Sequence, residues 1–225
     1  MIVSASRRTD IPAFYAEWFY NRLVENYLYV RNPMNPKQVS ELKLSRDTVD
    51  CFVFWTKNPG PMMDRLSILD TMGYPYYFQF TLTAYGQDME PGLPDKRELV
   101  ETFRTLSRRI GAERVIWRYD PILLGGIYNV EYHCRWFEQL CKSLSGYTQT
   151  CVISFIDMYA RIKKSMEHMG VYDMGAGDIR LLASLLGPIA KQYKIGLQTC
   201  SEAMDLSEYG IQKGKCIDDR LISRI

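Results

Sequence analysis

The chain has 225 residues, of which 47% are apolar and 24% charged, with a formal net charge of +2. This balance fits one globular domain with room for a sizeable core, and it lacks the strong basic field of a dedicated duplex-DNA binder. The N-terminus turns polar by Ser4, and the longest greasy stretch, LLASLLGPIA at 181–190, has about half the length of a membrane span, so no leader or spanning helix is predicted and the expected location is the cytoplasm.

Taken in chain order, the first apolar run is a strand at 2–5, followed by a helical pattern over 14–24 and a second strand at 27–30. Further strands are predicted at 51–55 and 76–82, and the segment YGQDMEPGLP at 85–94 is a loop long enough to act as a lid. A helix begins at Asp95, where Asp95 and Glu98 form a capping pair and Leu99, Phe103, Leu106 and Ile110 repeat along one face. Strands at 115–118, 150–155 and 195–199 alternate with helical patterns over 129–144 and 178–191, and a last short strand is expected near 215–217.

Several of these strands are continuous apolar runs, as strands covered on both faces are. Repeated strand–helix alternation predicts an α/β fold, specifically a TIM-like (β/α) barrel, complete or partial, of seven to eight parallel strands in a single domain spanning 1–225. A doubly wound open sheet is the structural alternative. No G-x-G-x-x-G follows a strand, and GGIYN at 125–129 has the wrong spacing for a dinucleotide fingerprint. The six cysteines form no C-x-x-C pair, so spacing alone supports neither a zinc ribbon nor a redox dithiol motif. His133 and His168 fall on or beside helices, which argues against a histidine metal site and against a Ser/His/Asp triad.

Chemistry-bearing residues recur where the strands end. Arg7, Arg8, Thr9 and Asp10 follow the first strand, Lys57 and Asn58 the third, and Gln79 and Thr81 lie on the fourth. Arg118 and Asp120 close the fifth, Asp157 follows the sixth, and Cys200 and Glu202 follow the seventh. In a parallel barrel all these ends share one face, where such folds build their sites. Lys57, Asp120 and Glu202 are the candidate catalytic groups, Lys57 as an anion binder or a desolvated amine nucleophile. Arg7, Arg8, Thr9, Asp10, Asn58, Gln79, Thr81, Arg118 and Asp157 are candidates for binding substrate or cofactor, and Asp10, Asp120, Asp157 and Glu202 provide carboxylates for acid–base work.

The segments SASRRTDIPAFY at 4–15, FWTKNP at 54–59, RYDPIL at 118–123, SFIDMY at 154–159 and CSE at 200–202 resemble a bacterial family, domain-of-unknown-function family 1848. TKNP and RYDPI are also similar to segments of spore photoproduct lyase, a radical S-adenosylmethionine enzyme. The resemblance implies a barrel that holds a [4Fe–4S] cluster and S-adenosylmethionine in a longer polypeptide, with the cluster carried by a C-terminal C-x-x-x-C-x-x-C-like segment. That segment does not occur in this sequence, which reads as a truncated form; Cys200 and Cys216 are the candidate metal-ligating thiols.

Three functions are therefore expected to compete. The first is a radical S-adenosylmethionine-like iron–sulfur enzyme acting on a small-molecule or nucleotide-like substrate. The second is a cluster-free barrel hydrolase or lyase that uses the strand-end carboxylates. The third is a module that binds an anionic ligand or a nucleic acid without chemistry.

Overall fold

Continuous apolar runs become parallel strands, and the amphipathic segments between them become helices laid against those strands. The computed structural model describes residues 1–6, 8–200 and 202–225. It divides into two compact units, Met1–Phe80 with Asp219–Ile225, and Thr81–Asp218.

The first unit contains β1 (Ile2–Ala5), α1 (Ile11–Phe14), α2 (Ala16–Glu25), β2 (Tyr27–Arg31), β3 (Val39–Lys43), β4 (Cys51–Thr56), α3 (Gly60–Met63) and α4 (Leu66–Thr71). It also holds β5 (Tyr76–Thr81), whose last residue opens the second unit. β1, β4 and β5 form a parallel ladder in which Ser4 pairs with Val53 and Phe54 with Phe78. Phe52, Phe54 and Phe78 are fully buried. Phe19 of α2 meets Phe52 and Phe54 edge-on, with ring centroids 5.3 and 5.2 Å apart. Each such buried aromatic contributes about 1.5–3 kcal/mol of hydrophobic stabilisation.

The strand predicted at 27–30 exists as β2, but it is antiparallel to β3, which the sequence reading does not anticipate. The physical reason is exposure: β2 is exposed or half-exposed throughout, whereas parallel strands need cover on both faces.

The second unit contains α5 (Lys96–Ile110), β6 (Val115–Ile122), β7 (Leu124–Gly125), α6 (Val130–Leu144), β8 (Thr150–Phe155), α7 (Ala160–His168), β9 (Val171–Tyr172), α8 (Ala176–Gln192), β10 (Gly196–Thr199) and β11 (Ile211–Lys213). Asp95 caps α5 as expected, its carboxylate accepting the amides of Arg97 and Glu98. Leu99, Phe103, Leu106 and Ile110 are buried. β6, β8, β10 and β11 form a parallel ladder, while β7 and β9 pair antiparallel. The last strand is therefore at Ile211–Lys213, upstream of the predicted 215–217.

The fold class is α/β with parallel strands flanked by helices. Among the described residues β1 pairs only with β4, and β11 only with β10. Both are edge strands, and a closed barrel, which has no edges, is not formed. Among the described residues no helix is long and apolar enough to cross a membrane.

Candidate functional site

In the first unit the residues after β1 serve mainly to hold the chain in place. Asp10 caps α1: its Oδ1 accepts the Ala13 amide at 3.0 Å. Its Oδ2 accepts the Thr56 hydroxyl at 3.0 Å and the Lys57 amide at 2.7 Å, so this carboxylate ties the end of β1 to the end of β4. Asn58 is used in the same way. Its amide donates to Thr56 Oγ1 and its side-chain oxygen accepts the Gly60 amide, both at 3.0 Å, which turns the chain into α3. Lys57 is half-buried, and Gln79 is buried on β5.

Arg8 and Thr9 are exposed, and Arg8 donates through Nη2 to the Arg31 carbonyl at 2.6 Å. They help line a groove of about 240 Å³ whose apolar wall includes Ala5, Trp18, Phe19 and Leu28. Arg7 lies outside the described residues.

In the second unit the predicted residues gather along the C-terminal ends of β6, β8 and β10. β6 does not stop at Arg118; its register against β8 shifts between Tyr119 and Ile122, and the strand continues to Ile122. Bulges of this kind re-aim side chains and are frequent beside functional sites. Arg118 is 6% exposed. Its Nε donates to Asp120 Oδ1 at 3.1 Å and its Nη2 to Asp120 Oδ2, a bidentate pair. Burial works against the Arg118 charge, but the Asp120 carboxylate and a side-chain hydrogen bond to Cys200 outweigh it and raise its pKa. The pair closes on itself, a geometry that suits a structural ion pair better than a substrate clamp. Thr81, at the start of this unit, is half-buried.

Glu202 is half-buried, and its Oε1 accepts the Phe155 amide at 2.9 Å. Burial pushes its carboxyl pKa up, the Phe155 hydrogen bond pulls it down, and the nearby Asp157 charge pushes it up again; the net direction is upward. Asp157 is exposed and accepts from the Tyr159 hydroxyl at 3.0 Å. Cys200 and Cys216 bring their sulfurs to 3.2 Å of one another.

The sequence matches the family described as "Domain of unknown function (DUF1848)" over residues 2–225. The chain belongs to the DUF1848 family. No curated protein matches it, and no solved structure does.

For this DUF1848 chain the fit of an iron–sulfur cluster can be tested on its own thiols. A [4Fe–4S] cluster bound with S-adenosylmethionine takes three cysteines. Among the described residues no group of three or more His, Cys, Asp or Glu side chains is placed to hold a metal ion. Cys200 and Cys216 are two; Cys51, Cys141 and Cys151 are buried, and Cys134 is half-buried on α6. The described residues therefore do not fit the cluster.

Several polar features escape the sequence reading. Glu90, in the loop after β5, is 7% exposed and accepts from Thr83 Oγ1 at 2.8 Å and Lys96 Nζ at 2.6 Å. Tyr85 donates to the Pro121 carbonyl at 2.6 Å and accepts the Leu123 amide at 3.0 Å. The loop considered as a lid is thus anchored at both places. The only sequence signal for it was a Glu–Lys spacing of six across a turn. His133, fully buried, bonds the Tyr119 hydroxyl and the Leu123 carbonyl, both at 2.8 Å, and burial lowers its pKa. It is a neutral core histidine. A cavity of about 730 Å³ in this unit is lined by Pro188, Lys191, Gly196 and Tyr209 and lies at the start of β10.

Proposed function

We propose that this chain is an enzyme of the hydrolase or lyase type that carries out acid–base chemistry on a small molecule at the strand ends of its second unit. The observation that supports the reading most is Glu202. One oxygen is fixed by the Phe155 amide, while burial and the neighbouring Asp157 raise its proton affinity. A carboxyl with raised proton affinity is better suited to hold and pass a proton than one of ordinary affinity. Exposed Asp157 stands near it, and its charge adds to the raised proton affinity of Glu202. Glu202 is read as the proton carrier, Asp157 as the charge that tunes it, and the buried Arg118–Asp120 pair as the group that keeps the local field constant. The parallel α/β organisation is read as an incomplete TIM-like barrel.

The test is a panel of nitrophenyl carboxylate esters, phosphates and glycosides in chelator-containing buffer, with Glu202→Gln as the comparison. Turnover lost in Glu202→Gln supports the reading; turnover that persists at the wild-type rate refutes it.

A second reading concerns the first unit. The groove lined by Arg8, Thr9 and Trp18 combines apolar walls with a cation, which suits a small anionic ligand with an apolar body. Salt-sensitive binding of such a probe that is lost in Arg8→Ala would favour it. A radical S-adenosylmethionine enzyme would need a polypeptide that supplies at least one further thiolate. Iron and sulfide analysis of anaerobically purified protein tests it.

A further inference from the structure

Two cysteines that are far apart in sequence meet beside the proposed site, and the ladder explains how. β10 and β11 run parallel in register, Thr199 opposite Lys213. The ladder extends one step further, because the Gly214 amide donates to the Thr199 carbonyl at 2.9 Å. A Cβ at Gly214 would stand 2.9 Å from that carbonyl oxygen and 2.7 Å from Gln198 Oε1, so this approach requires glycine. On the other side, the Cys200 amide donates to the Ile153 carbonyl at 3.1 Å, which fixes Cys200 to the end of β8. The outcome is a Cys200 Sγ–Cys216 Sγ separation of 3.2 Å.

We propose that Cys200 and Cys216 form a reversible intramolecular disulfide, a modification site written by thiol–disulfide exchange with a low-molecular-weight disulfide. The sulfurs need to approach by only about 1 Å to reach bonding distance. Cys216 is exposed and Cys200 half-buried, so a small reagent reaches them. The Arg118 guanidinium hydrogen-bonds the Cys200 side chain, which helps hold it in place. Of the other thiols, Cys51, Cys141 and Cys151 are buried, out of reach of a small reagent.

The chemistry balances with oxidised glutathione as the oxidant. The Cys200 thiolate attacks one glutathione sulfur, forming a mixed disulfide and releasing one glutathione thiolate. Cys216 gives its proton to solvent, and its thiolate attacks the Cys200 sulfur. The Cys200–Cys216 bond forms and the second glutathione thiolate leaves. Two electrons pass from the protein dithiol to glutathione disulfide, and the two protons end on the glutathione thiols.

The experiment incubates the full chain in glutathione buffers of graded redox ratio, traps the remaining thiols by alkylation, and maps the peptides by mass spectrometry. The expected result is a cross-linked peptide joining Cys200 to Cys216 that accumulates with oxidised glutathione and is reversed by dithiothreitol. In Cys216→Ser the same position, Cys200, should instead retain a glutathione adduct. The proposal is overturned if both thiols stay fully alkylatable across the series. It is equally overturned if Cys200 links to another cysteine or another chain, or if the pair reacts only after a metal chelator is added.

Discussion

Glu202 Oε1 accepts the amide of Phe155 at 2.9 Å, so the residue that follows β10 is tied to the last residue of β8. This bond holds a carboxyl whose proton affinity is raised, chiefly by burial, above the ordinary value of 4.5. As pH climbs past that ordinary value, the unfolded chain releases its proton before the folded chain does. Stability linked to protonated Glu202 is therefore fully present below the ordinary value and is lost as pH rises through the folded value. Wild type should lose urea resistance relative to Glu202→Gln across that window. Equal pH slopes for the two proteins would show that Glu202 titrates normally.

The Arg118–Asp120 pair is nearly sealed, with side-chain exposures of 7% and 10%. Removing Arg118 alone leaves an uncompensated buried carboxylate, so Arg118→Met should cost about 3–5 kcal/mol. The double variant Arg118→Met with Asp120→Leu should recover much of that loss. Urea denaturation of the two singles and the double gives the coupling energy. Additive losses would mean that the two side chains do not act as a unit.

Asp10 predicts a stability effect confined to the first unit. Asp10→Ala removes a helix cap and two hydrogen bonds that join the ends of β1 and β4. The expected cost is about 2–3 kcal/mol. Asp10→Asn keeps one acceptor oxygen and should fall between Asp10→Ala and wild type. Chemical denaturation ranks the three.

Gly214→Ala tests how the chain brings β11 to β10. The added Cβ meets the Thr199 carbonyl oxygen at 2.9 Å, so the chain must move apart, at a cost of about 1–3 kcal/mol. The same displacement should slow the Cys200–Cys216 cross-link in a glutathione time course. A variant with wild-type stability and cross-linking rate would show that the approach tolerates a side chain.

Much of the architecture was legible because its signals are local. Periodicity and a capping pair placed α5 from Asp95, and the continuous apolar run CFVFWT placed β4. Recurrence of polar residues at strand ends singles out Asp10 and Glu202 alike, and it does not tell which side chain is held as a structural tie. Asp10 and Glu202 look alike in sequence. In the structure Asp10 accepts three hydrogen bonds, from Ala13, Thr56 and Lys57, while Glu202 is tied by the Phe155 amide and has its proton affinity raised. That difference depends on partners 46 and 47 residues away, which no local pattern encodes. β2 was legible as a strand but not as half of a hairpin, because its partner Val39–Lys43 is largely exposed and carries little hydrophobic signal. The meeting of Cys200 and Cys216 depends on parallel register between β10 and β11, which is also a nonlocal property.

The most direct test of the central claim is a carbon-13 NMR titration of the Glu202 carboxyl in wild type and in Asp157→Asn. A proton carrier at this position predicts a midpoint above 4.5 in wild type that moves down when the Asp157 charge is removed. A midpoint at or below the ordinary value, unchanged in Asp157→Asn, would contradict the assignment of Glu202 as the acid–base group.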